Sequence, residues 1–157
     1  MGLETDQKGT VVGVVCGTGV VLFLDLAMYL LRMNVYKAGL QQGKNYKIFA
    51  NENFDRLTDP SFKLVVFSAF KRQDHVLGEP LFRALHDISA KYKFNNFEYH
   101  LRLSEKAEDP KWDEAFFKKN LDVTARKVVV YGPLGAEESI KETLKKVGVK
   151  ESQFHRL

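Results

Sequence analysis

Apolar runs of five to seven residues recur along this chain, separated by amphipathic or polar stretches. Val11 to Cys16 is apolar apart from Gly13, which predicts a strand buried on both faces. Gly17-Thr18-Gly19 follows as a tight turn. Val20 to about Met33 then predicts a helix that starts at once and is apolar on nearly every face. Asn34 to Ser61 is less regular: Tyr46 to Ala50 fits a short strand or a helical turn, and Asn51 to Pro60 reads as loop. A connection of that length suggests an excursion that serves as a lid or partner surface.

Phe62 to Ser68 predicts the second core strand and Ala69 to Gly78 a polar turn. Glu79-Pro80 starts a helix, with proline where no N–H is needed, and Leu81, Leu85, Ile88 and Tyr92 continue it at helical spacing. Asn95-Asn96 breaks the chain before a third strand over Phe97 to Leu103. Ser104 to Lys111 reads as loop, Trp112 to Asn120 as a short helix and Lys127 to Tyr131 as the fourth strand. Gly132-Pro133-Leu134-Gly135 turns into a last helix. Glu137 and Glu138 lie in its first turn, Lys145 and Lys146 in its last, and Gly148 closes it, in agreement with the helix dipole.

Strands that alternate with helices predict an α/β fold: a three-layer α/β/α, doubly wound parallel sheet of about five strands, the fifth drawn from residues 34–61. The 157 residues suit one domain, with residues 1–9 as a disordered or linker segment. Thr10 to Leu31 is long and apolar enough to be scanned as a membrane helix. Asp25 inside the run and three glycines in its first half argue against a span.

Hydrophobic content of 45% excludes disorder, and a net charge of +4, mixed along the chain with acids, falls short of a nucleic-acid footprint. The single cysteine, Cys16, precludes an internal disulfide. It points to the cytoplasm or another reducing compartment, with a membrane-associated parent protein as an alternative setting. Residues Met1 to Lys8 do not resemble a targeting signal. His75, His86, His100 and His155 are scattered without metal-ligand spacing, so no metal is expected. No Ser-His-Asp set stands out, and Cys16 has no basic sequence neighbour to activate it.

In a doubly wound fold the ligand sits at the carboxyl ends of the strands. Here those ends are Gly17-Thr18-Gly19, Ala69-Phe70-Lys71, Ser104-Glu105-Lys106 and Gly132-Pro133. A strand, a glycine turn and an immediate helix start aim free N–H groups at a phosphate. The same unit also occurs as pure structure, and Gly13, Gly17 and Gly19 do not keep the G-x-G-x-x-G order, so both readings stand. Lys71 and Arg72 read equally as phosphate or adenine contacts and as exposed turn cations.

Taken in order, these strand ends resemble the pyridine-nucleotide domain of the ferredoxin–NADP reductase superfamily, a Rossmann-like fold. Gly17-Thr18-Gly19 is similar to its pyrophosphate turn, and Asp74 to Leu81 to its polar turn with a Glu-x-Leu helix start. Ser104 is similar to its strand-closing serine, and Val128 to Pro133 to its last strand ending in Cys-Gly-Pro. The resemblance implies a domain that presents NADH or NADPH for hydride transfer to FAD. The flavin would be held by a separate flavin-binding domain or chain, since the first core strand here begins by residue eleven.

By the same resemblance Gly17, Thr18, Gly19 and Val20 would hold the pyrophosphate, and Ser104 and Glu105 the ribose. Tyr131, Gly132 and Pro133 would lie beside the nicotinamide. Three residues depart from the pattern: Leu22 replaces a proline, Tyr131 the cysteine, and Glu105 the arginine of NADP-using members. Glu105 would repel a 2′-phosphate and so favours NADH. Tyr131 would either gate the nicotinamide pocket or point into the core. The alternative function is a catalytically inactive nucleotide-binding or protein-interaction domain, which Tyr131 and Leu22 favour.

Overall fold

Strand β1 (Thr10–Cys16) is apolar from Val11 on, Gly13 apart, because it lies inside a sheet covered on both faces. In the computed structural model, which describes residues 4–44, 46, 49 and 53–155, it pairs in parallel with β2 (Lys63–Phe70) and with β4 (Lys127–Tyr131). Strand β3 (Phe97–Leu103) pairs with the far side of β2, which gives the parallel order β3-β2-β1-β4. Alternation then divides the core. Val11 and Val15 pack with Phe23, Leu30 and Leu85 on one face; Val12 and Val14 pack with Phe67, Phe117 and Leu144 on the other.

The helices fall into two layers accordingly. Helix α1 (Leu24–Gln41), the single-turn α2 (Phe54–Leu57) and α3 (Glu79–Lys91) cover the first face; α4 (Glu114–Asn120) and α5 (Leu134–Lys146) cover the second. The chain steps outward from β1 to β2 to β3, then crosses the sheet to place β4 on the other side of β1. The topological switch therefore lies at the carboxyl ends of β1 and β4, where such folds open a crevice.

Among the described residues four strands form the sheet, where about five were expected. Among the described residues 34–61 contribute no strand: the segment completes α1 and then forms α2. Of Tyr46 to Ala50 only Tyr46 and Phe49 lie among the described residues, where their rings meet edge to face. Phe49 also meets Phe54, which places this excursion over the first core. A single parallel bridge, Val128 with Phe154, extends the sheet beyond β4.

The first helix is longer than its predicted Val20–Met33. A 3-10 segment over Gly17–Phe23 runs directly into α1, which continues to Gln41. The polar residue taken as its end, Asn34, is fully buried and exchanges two hydrogen bonds with Asn96, Nδ2 to Oδ1 at 3.0 and 2.8 Å. Ser89 Oγ donates to the same Asn96 oxygen at 3.0 Å. A polar side chain with all its partners supplied does not interrupt a helix.

Helix α4 starts at Glu114 because Asp113 accepts the Phe116 N–H at 2.9 Å, and α5 runs as predicted. Of residues 1–9, expected as a disordered or linker segment, Glu4 pairs with Lys127 at 3.1 Å and Gln7 accepts from Arg126 at 2.6 Å. Residues 10–16 of the apolar run form β1. The helical stretch that follows, Gly17–Gln41, is long and apolar enough to cross a membrane by length and composition. Its inner face packs on the sheet through Val20, Phe23, Ala27 and Leu30, and its outer face carries Asp25 and Arg32.

Candidate functional site

A cleft of about 490 Å³ opens at the carboxyl ends of all four strands. β1 and its turn contribute Cys16, Gly17 and Thr18; β2 and the segment after it contribute Ala69, Phe70, Lys71, His75 and Leu77. Arg102 and Ser104 close the β3 side, and Pro133 the β4 side. This size is ordinary for a small-molecule site. Its lining carries cationic side chains and no carboxylate.

Gly17 is the residue on which the entrance depends. Its φ is +62°, a left-handed conformation that favours glycine, and a side chain there would meet nothing within 4 Å. The backbone therefore faces open space where the 3-10 turn begins. The first N–H groups of such a turn have no partner within it, and Cys16 supplies no side-chain cap. Thr18 places a hydroxyl beside them at the cleft wall.

Gly19 and Val20 serve the fold around that turn. A Cβ on Gly19 would stand 2.6 Å from Cδ1 of Tyr131, so the missing side chain makes room for a tyrosine ring. Val20 is fully buried in the first core, which leaves only its backbone for a ligand. Gly132 lies against Cys16, where a Cβ would approach the cysteine Cβ to 3.0 Å. Tyr131 neither enters the core nor lines the cleft: it is 43% exposed and lies over Gly19.

Ser104 lines the cleft, and its backbone N–H donates to Phe70 at 2.8 Å, which holds the ends of β2 and β3 together. Glu105 lies outside it, in a neighbouring hollow of about 110 Å³ with Lys71, Arg72, Gln73, Leu103 and Lys106. Arg72 turns toward Asp74 and His75, 2.8 and 3.1 Å from its Nη2. The sequence reading passed over Arg102 altogether and took Cys16 and His75 as ordinary residues. The alternation of Glu98, His100 and Arg102 along β3 was available as a signal. Its pairing with β2, which sets Arg102 opposite Ala69, was not.

The Cys16 thiol is part-buried, and burial pushes its pKa up while the nearby Arg102 guanidinium pulls the other way. Nothing in this setting activates the thiol beyond an ordinary cysteine. No group of three or more metal-ligating side chains occurs among the described residues. Among the described residues the cleft presents cationic side chains and the Thr18 and Ser104 hydroxyls, with no carboxylate in its lining.

No protein-family model and no curated protein matches this chain. Solved structures do. The cytochrome b5 reductase domain of Ulva prolifera nitrate reductase superposes with a TM-score of 0.62 at 13% identity, over 94% of this chain and 48% of that one. A flavohemoglobin from Malassezia yamatoensis gives 0.62 at 14%, over 97% and 32%. A ferredoxin–NADP+ reductase from Plasmodium falciparum gives 0.56 at 14%, over 94% and 50%. The chain spans half or less of the length of each. At these identities the likeness is one of fold, shared with about half or less of each of these proteins.

Proposed function

We propose that the chain binds a nicotinamide dinucleotide in the cleft at its strand ends, as the nucleotide half of a flavin-dependent oxidoreductase. The observation that carries this reading is Gly17, held at positive φ with open space before it, at the head of a helical segment and in a cleft of positive charge. Backbone N–H groups there suit a diphosphate, as at other helix starts. Two of the similar proteins support the ligand class by what was solved with them: the flavohemoglobin has bound FAD, and the Plasmodium reductase is in complex with 2′P-AMP.

The residues present fit a dinucleotide. Gly17 and Thr18 would hold its diphosphate through the backbone and one hydroxyl, Ser104 would meet a ribose, and Pro133 would flank the ring end. When bound, the nicotinamide supplies a hydride; the protein supplies position and electrostatics. FAD would come from another domain or chain, the partner this reading requires.

Calorimetric titration of the chain with NADH, NADPH, ADP-ribose and AMP tests the proposal. Binding of NADH or NADPH with one site per chain is expected; the absence of binding by any of the four contradicts it. The second reading, a nucleotide-binding or interaction domain without catalysis, is favoured by Tyr131 lying over Gly19 at the turn's edge. It predicts that NADH and ADP-ribose bind alike, since the nicotinamide then adds no net free energy against its ordering cost.

A further inference from the structure

Arg102, on the cleft wall, has no hydrogen-bond or ion-pair partner among the described residues. Arg102 sits at the penultimate residue of β3, where the register sets it beside Ala69, and Ala69 beside Cys16. Strand alternation puts all three on the α4–α5 side of the sheet, in line with His100 and Phe67 on the neighbouring rungs. Ala69 contributes only a methyl group to this row, so the sheet end beside the arginine stays open. Arg102 Nε is buried and makes no hydrogen bond, and its guanidinium meets no carboxylate among the described residues. Lys71, on the same wall, likewise has no ion pair among them.

A part-buried cation without a counterion is unfavourable, because desolvation is not offset by an opposite charge. Folds keep such a group where a ligand completes it. The planar guanidinium fork matches a phosphate in two N–H···O contacts, which an ammonium cannot reproduce. We propose that Arg102 is the anion anchor of the cleft and, with Lys71, holds a phosphate group of the ligand on the β2–β3 side, apart from the Gly17–Thr18 turn. This deepens the nucleotide reading above and rests on it for the source of the phosphate, either the diphosphate bridge or a ribose phosphate.

The chain's one cysteine, Cys16, lines the same cleft, so its alkylation by iodoacetamide reports occupancy without any turnover. Inorganic pyrophosphate, ADP-ribose, NADH and NADPH would be titrated against the whole chain and against Arg102→Met and Arg102→Lys. Calorimetry and protection of Cys16 would be read together. The expected result is at least a tenfold loss of affinity in Arg102→Met, loss of Cys16 protection, and a smaller loss in Arg102→Lys. A loss common to all four ligands assigns the diphosphate to Arg102, and a loss confined to NADPH assigns the ribose phosphate; either supports the anchor.

Without ligand, Arg102→Met should melt no lower than the wild-type chain, because it removes an unpaired charge. A lower melting temperature would show that the fold already satisfies the guanidinium, and would count against the anchor. Nucleotide affinity that is unchanged in Arg102→Met overturns the anchor and leaves the nucleotide reading standing. Pyrophosphate bound through Arg102 with no nucleotide bound does the reverse. If the wild-type chain binds none of the four, both fall.

Discussion

His100 stacks on Phe67 with ring centroids 4.5 Å apart and planes 11° from parallel, and it meets Phe116 edge-on. Its Nε2 lies 3.7 Å from a Glu98 carboxylate oxygen and makes no hydrogen bond. Burial holds the imidazole below its ordinary pKa, against the smaller opposing pull of Glu98. The unfolded chain therefore binds a proton at a higher pH than the folded one does. Stability should be complete above the unfolded value of about 6.5 and should fall as the pH drops toward the folded value. Thermal melts between pH 8 and 5 should show that decline, and His100→Phe should flatten it. An equal decline in the variant would remove His100 as the cause. At this scale glycine roles were only partly legible. Gly17 reads correctly as a turn residue at the cleft, whereas Gly19 makes room for Tyr131, a contact between two elements that sequence spacing does not contain.

Among the elements, α1 and α3 are joined to the start of β3 by one buried polar group, Asn34, Ser89 and Asn96. Each supplies a partner that the others need, and the Asn96 backbone oxygen also accepts from Leu64 at 2.9 Å. Asn34→Ala should leave Asn96 Nδ2 without its acceptor, with Ser89 still donating to the Asn96 oxygen, and destabilise the chain by about 1–3 kcal/mol, the cost of an unsatisfied buried group. Chemical denaturation of the variant checks this; stability equal to wild type would mean that water or repacking replaces the pair. The same group explains where the sequence misled. Asn34 looks like a helix end only while its partner, 62 residues away, is unseen. The four strands and the helices α3 and α5 were legible because burial, caps and dipole charges are local signals. Among the described residues no fifth strand appears: after Asn34, Tyr36, Phe49 and Phe54 bring aromatic rings onto the first core.

For the whole molecule, the parallel order β3-β2-β1-β4 places the crossing between β1 and β4 beside the glycine turn, and the cleft follows from that topology. The sheet gathers Gly17, Thr18, Ser104 and Pro133 at one opening, as the order of strand ends suggested, and adds Arg102, Lys71 and His75. Glu105, the one acid expected there, lies in the hollow beside it. What the cleft binds is the central claim. It is tested most directly by mapping backbone amide shifts of isotopically labelled protein as ADP-ribose and then NADH are added. The account predicts the largest changes at Gly17 and Thr18, with further changes across Ala69 to Lys71 and at Ser104, and little at the far end of the sheet around Thr10 and Lys63. Saturable binding whose shifts fall outside these strand ends, or no shift at millimolar ligand, would contradict it.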